Sequence, residues 1–188
     1  MPREYLGGSI QRVNIRTGKS ENLYSECNGH SLRGPNDIVF DQVGGFWFTD
    51  LGKTWPRTHD HGGVYYASTD GKHIQEVIYP LITPNGIGIS PDGSTLYVAE
   101  TTTGKLYQWT ITEPGHLELG ESSRPQAQLL YALPDGLRFD SLAVDAEGYV
   151  NVGVLSLGSM DKNAGGICEI SPNGEGRIIP TGDPMTTN

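Results

Sequence analysis

Three polar side chains recur in this sequence at the head of the same short pattern, and their oxygen atoms could bind a cation. Asn36, Asn85 and Asp140 are each followed by a strand-like run and by a Gly eight positions later. Their positions are separated by 49 and 55 residues. Amide and carboxylate oxygens are hard ligands that suit Ca²⁺, Mg²⁺ or Mn²⁺, whereas Cys and His suit Zn²⁺. The three residues are therefore candidate ligands of a divalent cation.

The same residues also have a purely structural interpretation. Asn follows Pro at Pro35-Asn36 and again at Pro84-Asn85, and this dipeptide is common in turns. An Asn amide in a turn can hydrogen-bond to neighbouring backbone without contacting any ligand. Residue types and spacing leave both interpretations open.

The repeat that carries these residues predicts the fold class. Each copy leads into a second strand-like segment, and a hairpin with a polar turn follows. Several short strands in a unit of roughly 50 residues are typical of a β-propeller, whose four-stranded blades surround a channel. We predict an all-β partial propeller with half a blade in 1–35 and whole blades in 36–84, 85–139 and 140–187. Equivalent positions in successive blades lie at similar height, so the three polar residues should converge on the channel axis.

The composition is that of an ordinary globular protein with an acidic balance. Of the 188 residues, 19% are charged and 36% are hydrophobic, and the formal net charge is −9. Such a chain lacks the basic stripe that binds a nucleic acid. No apolar run approaches the roughly 18 residues of a membrane span, and residues 1–6 lack the apolar core of a signal peptide. We therefore expect no nucleic-acid or membrane partner and a cytoplasmic location.

Several other reactive side chains are better explained by structure than by chemistry. Cys27 and Cys168 are the two cysteines, far apart on strand-like segments, and we predict two buried free thiols. Glu100 ends a predicted strand and could point towards the channel or pair with a loop Lys such as Lys105. We expect the surface pairing.

The polar segment 51–63 is longer than a plain hairpin turn. It contains His59, Asp60 and His61, and we expect these side chains to be solvated, since two His at this spacing in a polar loop seldom form a zinc site. A second hypothesis is that Trp55 and its neighbours form a lid over the channel mouth.

The sequence resembles the SMP-30/gluconolactonase/luciferin-regenerating-enzyme family over nearly its whole length. Three segments in the same order carry the resemblance: LRGPNDIVFDQVGGFWFTD, TPNGIGISPDGSTLYVAET and FDSLAVDAEGYVNVG. The resemblance implies a six-bladed propeller, of which this chain would supply roughly three and a half blades. It also implies a metal-dependent lactonase.

The resemblance assigns roles to the three polar residues. Asn85 and Asp140 match metal ligands of the family, and Asn36 matches a residue that contacts substrate or lies close to the metal. Ca²⁺ is the cation we expect first, with Mg²⁺, Mn²⁺ or Zn²⁺ as alternatives. Asp140 is the one carboxylate of the three, so we predict that it is both ligand and general base in the hydrolysis of a sugar lactone.

Some positions depart from the family pattern. No Glu in an EGP-like motif precedes Asn36, so we expect the sequence to be truncated at both ends and a further ligand to lie outside it. Gly34 stands where animal members have a substrate-contacting Arg, and Lys53 and Thr54 stand where they have a Glu. Substrate preference therefore does not carry over.

Two other functions fit a propeller. One is a binding propeller without chemistry, and the other is a different hydrolase of the strictosidine-synthase-like or organophosphate-hydrolysing kind. If the ring is incomplete, its open blade edges are apolar, and we expect them to associate with a second copy.

Overall fold

The computed structural model describes residues 5–157 and 164–187, and these residues form strands and turns with no helix. The prediction of an all-β protein is confirmed for them. In the same two ranges, accordingly, no apolar helix is long enough to cross a membrane.

Two short antiparallel hairpins lead into the first large sheet. The outer hairpin pairs β1 (Ile10–Val13) with β2 (Ser20–Tyr24), and a smaller one pairs β3 (Glu26–Cys27) with β4 (His30–Ser31). Tyr24, at the end of β2, packs with Phe46 and Phe48 of the following sheet. The hairpins therefore cover one face of that sheet.

Three larger antiparallel sheets follow one another along the chain. The first contains β5 (Pro35–Phe40), β6 (Gly45–Asp50), β7 (Gly62–Ser68) and β8 (Ile74–Leu81). The second contains β9 (Pro84–Ile89), β10 (Thr95–Glu100), β11 (Lys105–Glu113), β12 (His116–Leu117) and β13 (Gln128–Ala132), with β12 and β13 both pairing with β11. The third contains β14 (Leu137–Val144), β15 (Val150–Ser156), β16 (Gly166–Ile170) and β17 (Gly176–Ile179). Among the described residues, no sheet closes on itself.

The sheets stack face to face because their central strands are apolar on both sides. In β10, Leu96 and Val98 belong to a core shared with the first sheet, while Tyr97 and Ala99 belong to a core shared with the third. All four side chains are buried. Successive residues of a strand point to opposite faces, so this run of apolar residues buries both faces of its sheet. Each fully buried large side chain contributes roughly 1.5–3 kcal/mol to stability.

The first strands of the three sheets lie side by side, with β9 packed between β5 and β14. Gly86 and Gly88 make this approach possible on the β14 side. A Cβ on Gly86 would lie 2.6 Å from the Leu142 nitrogen, and one on Gly88 would lie 2.6 Å from a Leu142 methyl carbon. These two glycines of the repeat therefore place β9 and β14 in direct contact.

Each of these three inner strands carries a one-residue bulge at the same place. Two residues of the inner strand oppose one of its neighbour between Pro35 and Ile38, between Pro84 and Ile87, and between Phe139 and Leu142. The predicted site residues lie within these bulges. A bulge interrupts the hydrogen-bond ladder and redirects side chains, and bulges are frequent next to active sites.

Candidate functional site

Asn85 and Asp140 meet across the contact between β9 and β14. The Asn85 side-chain amide donates a hydrogen bond of 2.6 Å to Asp140 Oδ1 and a second, of 3.1 Å, to Thr101 Oγ1. Asn85 is 4% exposed, and Asp140 is half-buried. The fold thus brings together two of the three side chains that the repeat singled out.

The backbone of Asn85 is fixed from the opposite side. The Thr49 hydroxyl, which is fully buried on β6, donates a hydrogen bond of 2.6 Å to the Asn85 carbonyl oxygen. The same hydroxyl accepts a bond of 3.2 Å from the Asp37 backbone N–H. Asn85 is therefore held through its main chain by the first sheet and through its side chain by the third.

One oxygen at this site has no protein partner. Within the described residues, Asn85 Oδ1 is buried and receives no hydrogen bond. An unsatisfied buried polar atom costs about 1–3 kcal/mol. Because both Asn85 amide protons are directed elsewhere, the orphaned oxygen beside the Asp140 carboxylate is suited to a cation. A carbonyl oxygen and a carboxylate are the donors that Ca²⁺ and Mg²⁺ accept, so these residues fit the cation that the sequence predicts.

Asn36 occupies a different environment from the other two. Its side chain is exposed on β5, as are those of Ile38 and Phe40, and the structure places no hydrogen bond on it within the described residues. The alternate residues Asp37 and Val39 are turned inward and are half-buried. Asn36 is therefore not in hydrogen-bond contact with the Asn85–Asp140 pair, and its role as a substrate contact stays a prediction.

Asp37 is a site residue that sequence reasoning missed. Its carboxylate accepts hydrogen bonds from the backbone N–H of Ile38, at 2.9 Å, and of Ile87, at 3.2 Å. Burial raises the pKa of the Asp37 carboxyl, as does the Asp140 charge, while N–H groups of Ile38, Ile87 and Leu142 lower it. The sequence contains a signal for this residue. Asp37 is an acid at the position after Asn36, where the other two copies of the pattern have Gly86 and Ser141.

Two buried acids hold the segments that enter the inner strands. Asp50 accepts bonds from the backbone N–H of Arg33, Gly34 and Gly52, at 2.6, 2.7 and 2.9 Å. Glu100, which ends β10 as Asp50 ends β6, accepts bonds from the Ile82 N–H and the Thr103 hydroxyl, both at 2.8 Å.

The prediction that Glu100 pairs with Lys105 at the surface is therefore wrong. Glu100 is 4% exposed because its carboxylate turns inward to accept a hydrogen bond from the Ile82 backbone N–H, just before Asn85. A carboxylate in this place replaces backbone partners that an irregular loop cannot supply.

The segment 51–63 folds back on itself. Trp55 Nε1 donates a bond of 3.0 Å to Asp60 Oδ2, and Asp60 lies 3.8 Å from the Arg33 guanidinium. His59 and His61 are exposed. In residues 5–157 and 164–187, no three His, Cys, Asp or Glu side chains are grouped as a metal site would require. Trp55 is bonded within its own loop, and the lid hypothesis stays a prediction.

The cysteines match their prediction. Cys27 and Cys168 are buried and free. Burial raises the pKa of the Cys168 thiol to about 11.

The stacked antiparallel sheets and their adjacent inner strands define an all-β protein. The chain belongs to the SMP-30/Gluconolactonase/LRE-like family, whose sequence profile matches residues 6–187. This confirms the family resemblance of the three repeated segments.

Relatives with curated names include lactonases of staphylococci. The chain is 41% identical over 116 residues to Lactonase drp35 of Staphylococcus haemolyticus, a match that covers 59% of this chain and 34% of the relative. It is 44% identical over 80 residues to Lactonase drp35 of Staphylococcus saprophyticus, covering 43% of this chain and 24% of the relative.

Solved structures show the same fold. A gluconolactonase from Xanthomonas campestris is 27% identical with a TM-score of 0.71, and the match covers 95% of this chain and 56% of that one. The calcium-binding protein regucalcin from Agrobacterium tumefaciens is 18% identical with a TM-score of 0.66, over 90% of this chain and 52% of that one. The chain thus spans about half the length of these structures and a smaller share of the curated relatives.

Proposed function

We propose that this protein hydrolyses a sugar lactone with the help of one divalent cation, Ca²⁺ in the first instance, held by Asn85 and Asp140. The observation that carries the proposal is the orphaned Asn85 Oδ1 beside the Asp140 carboxylate. The family and its members named lactonase and gluconolactonase supply the reaction class.

The proposed cation would supply Lewis acidity at the lactone carbonyl and would lower the pKa of water in the site. The chain's own residues supply orientation and a base. The Asn85 hydrogen bond engages Asp140 Oδ1, which leaves Oδ2 to take a proton from the attacking water. Asn36, exposed on β5 one strand away, would hydrogen-bond to a substrate hydroxyl or carbonyl oxygen.

Ester hydrolysis needs both the Lewis acid that the cation would supply and the base that Asp140 would supply. The water oxygen bonds to the lactone carbonyl carbon, and its proton passes to Asp140. The ring C–O bond then breaks, the ring oxygen takes that proton from Asp140, and the product is the open hydroxy acid. The protein's contribution is to hold base and substrate at reacting distance, since such positioning lowers the barrier without new bonds to the chain.

We also propose that the described sheets belong to a six-bladed ring. In this arrangement the blades comprise residues 36–84, 85–139 and 140–187, with half a blade before them. The face-to-face stacking of the sheets supports this arrangement. Further ligands of the cation would then come from the remainder of the ring.

The test is hydrolysis of glucono-1,5-lactone and related lactones by the purified protein, followed through acid release. EDTA should abolish activity, and added Ca²⁺ should restore it. Asp140→Asn removes the base and should lower kcat by about 10²–10⁴-fold. Asp135→Asn is the matched control, because Asp135 is an exposed acid in the turn just before β14.

Two outcomes would overturn the proposal. Hydrolysis that survives both EDTA and Asp140→Asn would exclude this site as the catalytic one. Ca²⁺ binding without hydrolysis of any lactone would instead favour a binding propeller.

A further inference from the structure

We propose that Asp37 is a positioning residue that sets the geometry of the Asn85–Asp140 site through the backbone of the three inner strands. The inference rests on the proposed function for its catalytic consequence. Its structural content can be tested separately.

The Asp37 carboxylate accepts hydrogen bonds from two of the three inner strands and lies close to the third. It accepts from Ile38 N–H on its own strand β5 and from Ile87 N–H on β9. The N–H of Leu142 on β14 is close enough to the same carboxylate to lower its pKa. One side chain thus joins β5 to β9 through residues that are 50 positions apart.

These contacts fall at the positions that govern the site. Ile87 lies two residues after Asn85, and Leu142 lies two residues after Asp140. Fixing the Ile87 N–H holds the end of the bulge that contains Asn85, and this restricts where the Asn85 side chain can point.

The bulges explain why a carboxylate is needed there. Asn85 and Asp140 lie in the segments where β9 and β14 lose their regular pairing. Backbone N–H groups in such segments need acceptors from outside the ladder. Ile87, where the pairing of β9 resumes after its bulge, finds such an acceptor in Asp37, and a charged acceptor forms stronger hydrogen bonds than a neutral one.

Only the first copy of the repeated pattern has a carboxylate at this position. Gly86 and Ser141 take the place of Asp37 in the second and third copies. A Cβ on Gly86 would lie 2.7 Å from the Asp140 carbonyl oxygen, so no longer side chain fits between β9 and β14. Asp37 therefore reaches both strands from the first copy alone.

The experiment compares Asp37→Ala and Asp37→Asn with Asp41→Asn. Asp41 is the matched control, because it lies in the same β5–β6 hairpin and also accepts backbone N–H bonds, from Val43 at 2.9 Å and Gly45 at 2.8 Å. It lies at the opposite end of β5 from the site. Thermal unfolding checks that each variant is folded.

The first measurement is the side-chain amide resonance of Asn85 in a ¹H–¹⁵N spectrum, assigned by its loss in Asn85→Ser. In the unaltered protein its bonds to Asp140 and Thr101 should shift it from the position of an exposed Asn. Asp37→Ala should return it towards that position, Asp37→Asn should move it partway, and Asp41→Asn should leave it unchanged.

The second measurement is Ca²⁺ affinity by calorimetry, together with kcat and KM. Residues that orient metal ligands without touching the metal typically change affinity about 10–100-fold when they are replaced. Asp37→Ala should show a loss of that size and a larger fall in kcat than rise in KM. Asp37→Asn should recover part of both, since one oxygen acceptor remains.

The outcomes separate the two proposals. If folded Asp37→Ala or Asp37→Asn keeps the Asn85 resonance and the Ca²⁺ affinity, the inference is wrong and the lactonase proposal stands. If the unaltered protein neither binds Ca²⁺ nor hydrolyses lactones, the lactonase proposal is wrong, and the Asn85 resonance alone decides the role of Asp37.

Discussion

The side-chain amide of Asn85 donates a hydrogen bond of 2.6 Å to the Asp140 carboxylate, across the contact between two neighbouring sheets. Asn85 is nearly fully buried, and its carbonyl oxygen Oδ1 has no protein donor among the described residues. The Asn85 amide therefore orients the Asp140 carboxylate, and the same Asn85 side chain offers Oδ1 as an unpaired acceptor.

Asn85→Asp should destabilise the protein in the absence of a cation. It places two carboxylates within hydrogen-bond distance, and like charges so close cannot both ionise at low cost. We expect a loss of about 1–3 kcal/mol in EDTA, which lowers Tm by roughly 2–4 °C per kcal/mol for a chain of this size. Scanning calorimetry with EDTA and with Ca²⁺ measures the effect, and Ca²⁺ should restore stability by binding the folded state.

Asn36→Asp is the control for this change. It introduces the same charge at the equivalent position of the first copy, where the side chain is exposed. It should shift Tm in EDTA very little. Equal Tm values for Asn85→Asp and the unaltered protein in EDTA would contradict the proximity of the two carboxylates.

Thr49→Val should destabilise the protein although it preserves side-chain shape. The buried Thr49 hydroxyl joins the Asp37 N–H to the Asn85 carbonyl, and both groups would lose their partner. The expected cost in the free energy of unfolding is about 1–3 kcal/mol. Urea unfolding measures it, with Thr110→Val on the exposed face of β11 expected within about 0.5 kcal/mol of the unaltered protein. Similar values for the two variants would show that the bridge does not form.

Gly86→Ala should disrupt the contact between β9 and β14. The new Cβ would meet backbone atoms, 2.6 Å from the Leu142 nitrogen, and neither strand can move aside without separating the sheets. Overpacking of this kind costs about 1–3 kcal/mol. Gly120→Ala should be nearly neutral, because its nearest neighbour is the flexible Gln126 side chain at 3.5 Å. Chemical unfolding of both variants decides the matter, and a neutral Gly86→Ala would be incompatible with the described packing.

The two cysteines should resist thiol reagents in the folded protein. Cys168 is fully buried and its pKa is raised to about 11, while the pKa of Cys27 is also raised by burial. The thiolate is the reactive form, so little of it is present at pH 8. An aromatic disulfide reagent should react slowly with the native protein and should count two thiols in guanidinium. Fast labelling before unfolding would contradict the burial of these strands.

Asp92 should make stability pH-dependent at the acid end. Bonds from the Ser90 hydroxyl and from Ser94 lower the pKa of its carboxyl to about 2, against an ordinary value of about 3.9. Between about pH 2 and pH 4 the Asp92 carboxyl therefore binds more protons in the unfolded chain than in the folded one. Its stabilising contribution is complete above about pH 4 and is lost as the pH falls towards 2. Urea unfolding of Asp92→Asn and the unaltered protein should show a difference in stability at pH 6 that shrinks below pH 4. A difference independent of pH would exclude this carboxylate as its source.

The local patterns of the sequence predict most of the fold. Short apolar runs such as that of β10, hairpin turns and a repeated Gly indicate antiparallel sheets, because strand geometry depends on near neighbours. Burial of Cys27 and Cys168 follows from the same patterns. Local patterns do not say that Glu100 turns inward, because its partners lie in the preceding loop at Ile82.

The sequence by itself determined that Asn36, Asn85 and Asp140 hold equivalent places in a repeated all-β unit, since a repeat imposes equivalent positions. Tertiary structure alone decided that Asn85 meets Asp140 while Asn36 faces outwards and Asp37 inwards. All three inner strands carry the same bulge, so the difference comes from their neighbours: β9 packs against both β5 and β14, which buries Asn85 beside Asp140. Which backbone groups then need partners depends on strands that meet only in the folded chain.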